Sequence, residues 1–172
     1  MQPSPFEGCA VGHALNGPVD LSVSPDGRSV YAAAASSDTI ASLRTDRSGG
    51  ALTQARGRSG CIRQSGSRRC TAGRTLDEVW SLAASPDGLN LYSVSSKVNA
   101  MGALVRTRAS GRLAPLPGRY ACFIRGGGFG CPEGRGLTVA VAVTVSPDGR
   151  NVYVASEDAY LGGLAIFRRY VR

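Results

Sequence analysis

Apolar and polar residues alternate in short runs along this chain, and the runs return at a fixed interval. Val19, Leu21 and Val23 mark one face of an expected strand; Trp80, Leu82 and Ala84, then Val141, Val143 and Val145, repeat it. Alternation with a period of two belongs to a strand buried on one side. Each run closes on Ser-Pro-Asp-Gly, at 24–27, 85–88 and 146–149, so Pro25, Pro86 and Pro147 stand 61 residues apart. Proline presets φ at the second position of a type I turn. Asp26, Asp87 and Asp148 suit the third position, and Gly27, Gly88 and Gly149 accept a left-handed backbone. A second strand follows, with a tyrosine at the same place in every unit (Tyr31, Tyr92, Tyr153).

The pattern predicts a third strand over 39–43, 102–106 and 163–167. Turns at 48–50 and 109–111 lead into a fourth, over 51–56 and 112–116. Four antiparallel strands repeated in tandem make a propeller blade. No apolar period of 3.6 residues is sustained, which argues against a helical array. The expected fold is all-β: a partial β-propeller of three tandem four-stranded antiparallel blades, the last lacking its outer strand. Residues 1–172 form a single repeat domain, with blade 1 at about 17–60, blade 2 at about 78–121 and blade 3 at about 139–172.

The interblade loops, 61–77 and 122–138, carry the cysteines. Cys9, Cys70 and Cys131 are one repeated position, and Cys61 and Cys122 another. The spacing within each loop is wider than the tight knuckles of a zinc site. Two disulfides, Cys61–Cys70 and Cys122–Cys131, fit it, with reduced, inert cysteine as the alternative. Disulfides persist outside the cytosol, so the expected location is extracellular or periplasmic. Cys9 is left unpaired, because the period places its partner just before Met1. Arg172 aligns with Gly111, short of a full third unit, and the chain reads as a fragment of a longer array. The same loops hold Cys-x-x-Gly-x-x-Leu, as Cys9, Gly12, Leu15; Cys70, Gly73, Leu76; and Cys131, Gly134, Leu137. The glycine is expected to make a tight turn and the leucine to plug the gap between blades.

Residues 145–156, Val-Ser-Pro-Asp-Gly-Arg-Asn-Val-Tyr-Val-Ala-Ser, with Gly-Gly-Leu-Ala-Ile-Phe-Arg-Arg at 162–169, resemble the YVTN-type, lactonase-like β-propeller repeat. The disulfide-bearing loop resembles exported bacterial proteins of that group. The resemblance covers all three units and implies a ring of which this chain supplies under half. For function it implies a lactonase-type hydrolase of sugar lactones, on a fold that hosts many unrelated activities.

The formal charge is +8, and Lys97 is the only lysine. A basic chain raises the question of polyanions. The arginines are scattered, however, without a run of like charge or interleaved stacking aromatics, which speaks against nucleic acid and for solvated arginine on loops. No stretch approaches the apolar length of a membrane span. No metal and no cofactor is expected: carboxylates do not converge at ligand spacing, and Gly126-Gly127-Gly128 lacks the rest of a phosphate loop. Lactone hydrolysis would need a base and an oxyanion partner. The candidates are His13, Glu157 and Asp158, expected on one face with Asp38 and Lys97, and with Arg74 and Arg135, the counterparts of His13, near the axis. The regular residues are turn formers, strand cores and cysteines. The function expected first is therefore a binding or structural scaffold with an unknown ligand; the alternatives are the lactonase-type hydrolase and a polyanion-binding surface. Open blade edges are expected to favour association.

Overall fold

A computed structural model describes residues 12–46, 51–157 and 162–169. The first sheet contains β1 (Pro18–Val23), β2 (Ser29–Ala34), β3 (Thr39–Thr45), β4 (Leu52–Gln54), β5 (Cys61–Gln64) and β6 (Thr71–Gly73). The second contains β7 (Val79–Ala84), β8 (Asn90–Ser95), β9 (Ala100–Arg106), β10 (Leu113–Pro115) and β11 (Cys122–Ile124). The third contains β12 (Ala140–Val145), β13 (Asn151–Ser156) and β14 (Gly163–Arg168). The first three strands of each sheet form an antiparallel meander. The first strands β1, β7 and β12 lie beside one another. The fold is an all-β, partial β-propeller.

The Ser-Pro-Asp-Gly turns form as their residue types require. Gly27, Gly88 and Gly149 have φ of 66°, 67° and 70°, and each donates its N–H to the turn's serine carbonyl at 2.8 Å. The serine hydroxyl donates to the turn aspartate, Ser24 to Asp26 at 2.6 Å and Ser85 to Asp87 at 2.6 Å. A side chain thus braces the turn from within, as short polar residues do in tight turns.

Three features depart from the simple pattern. First, the strand register slips at the same place in every blade, between Pro18 and Asp20, Val79 and Ser81, and Ala140 and Ala142. A bulge of this kind re-aims the extra residue. Trp80 is 43% exposed, while Val79 and Leu82 are buried; Val19, Leu21 and Val23, expected on a buried face, are exposed, and Val19 and Leu21 line one cleft with Val30 and Ala32. Second, the outer strand is split. β4 pairs with 43–45 of β3, and β5 pairs with 39–41; β10 and β11 share β9 in the same way. Each first cysteine thus lies in the sheet.

Third, the loop before β14 holds six residues (157–162), where the one before β9 holds four (96–99). Gly163 pairs with Ser156 as Ala100 pairs with Ser95. It takes the place of Ala100, not that of Gly102, and Arg169 rather than Phe167 becomes the counterpart of Arg106.

Both disulfides form, Cys61–Cys70 with Cα atoms 4.8 Å apart and Cys122–Cys131 with 5.2 Å. Each bridge fastens the second half of an outer strand to the loop that follows it. Closing a ring of about ten residues restricts the unfolded chain and contributes about 2.5–3 kcal/mol on the chain-entropy argument. Replacing Cys61 and Cys70 together by alanine should lower the urea midpoint accordingly. The same protein should then lose less than the parent on adding reductant.

Candidate functional site

The polar residues that recur in this molecule converge on the joints between blades. At the turn side of the first joint, Arg106 Nη2 meets Asp26 Oδ1 and Oδ2 at 2.8 and 3.0 Å. Its Nε donates to the Tyr31 hydroxyl at 2.9 Å, and Nη1 to the Gly88 carbonyl at 3.1 Å. Tyr31 in turn donates to the Gly111 carbonyl at 2.9 Å. Arg106 is buried because β9 delivers its last residue into the space between two turns. The Asp26 carboxyl is held down to about 2, first by the Ser24 hydroxyl, then by the Arg28 N–H and Arg106, against the opposing effect of burial. Burial raises the Tyr31 hydroxyl, so it stays a donor.

The second joint repeats the clamp. Arg169 Nη2 reaches Asp87 Oδ2 at 2.6 Å and Asn90 Oδ1 at 2.7 Å, and Nη1 donates to the Gly149 carbonyl at 3.2 Å. In the first blade Thr45 stands at the corresponding position, and its hydroxyl donates to the Gly27 carbonyl at 2.6 Å.

Nearer the first strands, Asp20 Oδ2 accepts the Leu82 N–H at 2.7 Å, and the Ser22 hydroxyl accepts the Ala84 N–H at 3.1 Å. On the opposite side from the turns, Asp38 and Asn99 hold left-handed backbones, with φ of 55° and 51°. Asp38 Oδ1 accepts the Glu78 N–H at 2.9 Å, and Asn99 Oδ1 accepts the Val139 N–H at 2.6 Å. Asp38 is thereby engaged in joining blades. Lys97 pairs with Asp77 at 3.2 Å. That hydrogen bond and charge, with Glu78 and Asp38 nearby, raise the lysine.

Of the residues expected to do chemistry, His13 and Glu157 are among the described residues. His13 lies against the outer strand of the first blade: its N–H donates to Gln54 Oε1 at 2.8 Å, and Gln54 Nε2 donates back to the His13 carbonyl at 2.9 Å. Arg74 lines a cleft with Pro115 and Leu116, and Arg135 another with Glu133 and Leu164. These three positions sit beside outer strands or the open side of the third blade, not around the axis. Glu157 is exposed in the third blade, its N–H on the Val139 carbonyl at 3.0 Å, and no hydrogen bond or ion pair joins it to His13. Asp158 and Cys9 lie outside the described residues. Among the described residues, no group of three or more His, Cys, Asp or Glu side chains could hold a metal ion. No helix there is long and apolar enough to cross a membrane.

Known proteins match this arrangement through structure. A candidate 6-phosphogluconolactonase of Bacteroides fragilis is similar with a TM-score of 0.61 and 17% identity, over 88% of this chain and 37% of that one. Another, of Bacteroides uniformis, has a TM-score of 0.60 at 17% identity, over 88% and 36%. A protein from Lactobacillus plantarum has a TM-score of 0.60 at 22% identity, over 93% and 43%. The fold is that of a lactonase-like β-propeller. No protein-family model matches the sequence, and no curated protein matches it. The chain spans less than half the length of each of these solved propellers.

The blade clamps are what reading the sequence missed. Asp26 and Arg106 lie 80 residues apart, and Asp87 and Arg169 lie 82 apart. The longer loop in the third unit hides their equivalence. The available signal is an arginine at the end of the third strand in the second unit and just past it in the third.

Proposed function

We propose that the chain is part of an exported YVTN-type propeller that serves as a binding or structural scaffold. The observation that carries this reading is where the recurrent polar side chains are spent. Asp20, Ser22, Asp26, Asp38, Asp87 and Asn99 each take a hydrogen bond from the next blade. A group held this way positions backbone and is poorly placed to turn over a substrate. The two disulfides support an oxidising compartment, hence secretion or the periplasm.

A lactonase-type hydrolase is the second reading, favoured by the two similar structures that are candidate 6-phosphogluconolactonases. Titrimetric assay of the whole chain with 6-phosphogluconolactone and gluconolactone separates the two. The scaffold reading expects the rate of buffer alone, unchanged by His13→Ala or Glu157→Gln. A faster rate that either substitution abolishes would replace it with the hydrolase.

A further inference from the structure

Arginines that look scattered along the chain gather on the disulfide-bearing loops. Residues 56–76 hold Arg56, Arg58, Arg63, Arg68, Arg69 and Arg74 without an acid, and all six are exposed. Residues 117–132 add the exposed Arg119 and Arg125, again without an acid. The acids on this side, Asp38, Asp77 and Glu78, lie inward at the start of β7, where Asp77 is paired with Lys97. Glu133 follows the second loop.

At the tip of that second loop stands Phe129, 89% exposed. Gly128 and Cys131 exchange backbone hydrogen bonds of 3.1 and 2.8 Å, so Phe129 and Gly130 form a two-residue turn. Their φ values are 52° and 78°. Glycine and asparagine make such a turn readily, whereas a phenylalanine there is strained. The Cys122–Cys131 bridge holds the base of the turn. Arg74 reaches it from the first loop: a Cβ on Gly130 would lie 3.5 Å from Arg74 Nη1. The exposure belongs to the loop itself. Its counterpart one unit earlier, Arg68, is exposed as well, although the following blade there has β10, which packs against β6. Strain kept without any gain in packing points to function.

We propose that the disulfide-loop face docks on a bilayer of anionic lipid, with Phe129 entering the headgroup boundary and the surrounding arginines meeting lipid phosphates. Interfacial binding combines buried apolar area with attraction to anionic headgroups, and a rigid apolar tip on a basic rim supplies both. Gly126, Gly127 and Gly128 put no side chain beside the tip to hold it off the surface. Arg68 and Arg69 occupy the equivalent tip of the first loop, one blade away. A soluble polyanion would engage the arginines and leave Phe129 in water, so the aromatic ring decides for lipid. Only the exported compartment is taken from the scaffold reading; the lactone assay can refute that reading while vesicle binding stands.

The test is co-sedimentation of the whole chain with vesicles of mixed phosphatidylglycerol and phosphatidylcholine, and with phosphatidylcholine alone. Binding to the mixed vesicles only is expected, weakening as salt rises from about 0.05 to about 0.5 M. Phe129→Ala, and Arg68→Gln with Arg69→Gln, should each weaken it by about tenfold or more. Phe129→Trp should bind as the parent does. Phe129→Gly, relieved of strain, should lose binding yet melt at or above the parent's temperature. A lower melting temperature would make Phe129 a packing residue and overturn the proposal. So would absent binding, equal binding by Phe129→Ala, heparin binding without vesicle binding, or a dimer in light scattering that Phe129→Ala dissociates.

Discussion

Asp26→Ala should lower the unfolding free energy by about 3 kcal/mol, the low end of what stranding a buried charge costs. The Arg106 side chain is 1% exposed, so removing its carboxylate leaves a guanidinium in the joint with only neutral partners. Asp26 itself is 32% exposed, and water reaching the vacated side offsets part of the loss. Arg106→Met should cost less than Asp26→Ala, because a flexible apolar side chain can refill the slot. The matching substitution at Asp148 has no such consequence, since among the described residues its ion pair is with Arg150, at 4.0 Å on the surface. Acid reads the same clamp. Asp26 falls from 3.8 to about 2 on folding, so its contribution is complete above about pH 4 and is lost as pH falls through about 2. Asp87 is lowered too: burial works against it, and the Ser85 hydroxyl, the Leu89 N–H and Arg169 outweigh burial. Urea midpoints measured from pH 5 to pH 2 should fall in the parent and fall less steeply in Asp26→Ala. Parallel curves would refute the role given to this carboxylate.

How much of this could be read from the chain depends on the range of the interaction. The turns were legible because Pro25, Asp26 and Gly27 each impose local backbone geometry, and the structure keeps all three copies. The blades followed from alternation, which records burial on one side of a strand. The bulge at Trp80 was not legible, because a one-residue slip leaves the composition of the strand unchanged. The split outer strand was hidden for a similar reason: Cys61–Gln64 reads as loop until β3 offers it a partner. The clamps were the least visible, since they join residues in different units and an inserted pair of residues breaks the interval between them. For the candidate site, the period gave equivalence without position. It made His13, Arg74 and Arg135 counterparts, yet nothing in it says that the loop passes beside the outer strand at Gln54.

The Cys-x-x-Gly-x-x-Leu motif shows how one physical cause can be mistaken for another, and it yields the second large effect. Leu76 is fully buried and packs with Tyr31 and Ile40 of the first blade and Leu91 of the second. Leu137 does the same between the second and third. The leucine therefore plugs the joint, as its spacing suggested. The glycine is not a turn former, however: among the positive-φ glycines Gly73 and Gly134 are absent. A Cβ on Gly73 would lie 2.5 Å from Leu76 Cδ1 and 2.9 Å from Ile62 Cγ1, and one on Gly134 would lie 2.5 Å from Leu137 Cδ1. The glycine is there because the leucine rests on its Cα. Leu76→Ala should accordingly cost about 3–4 kcal/mol through the cavity it opens, and Gly73→Ala about 1–3 kcal/mol through overpacking. The two losses should not add. Once Leu76 is truncated its Cδ1 no longer opposes the new methyl, and only Ile62 remains to yield. A double-mutant cycle in urea should therefore show the Gly73→Ala penalty shrinking by about 1 kcal/mol in the Leu76→Ala background. Strict additivity would mean that the glycine answers to backbone conformation after all.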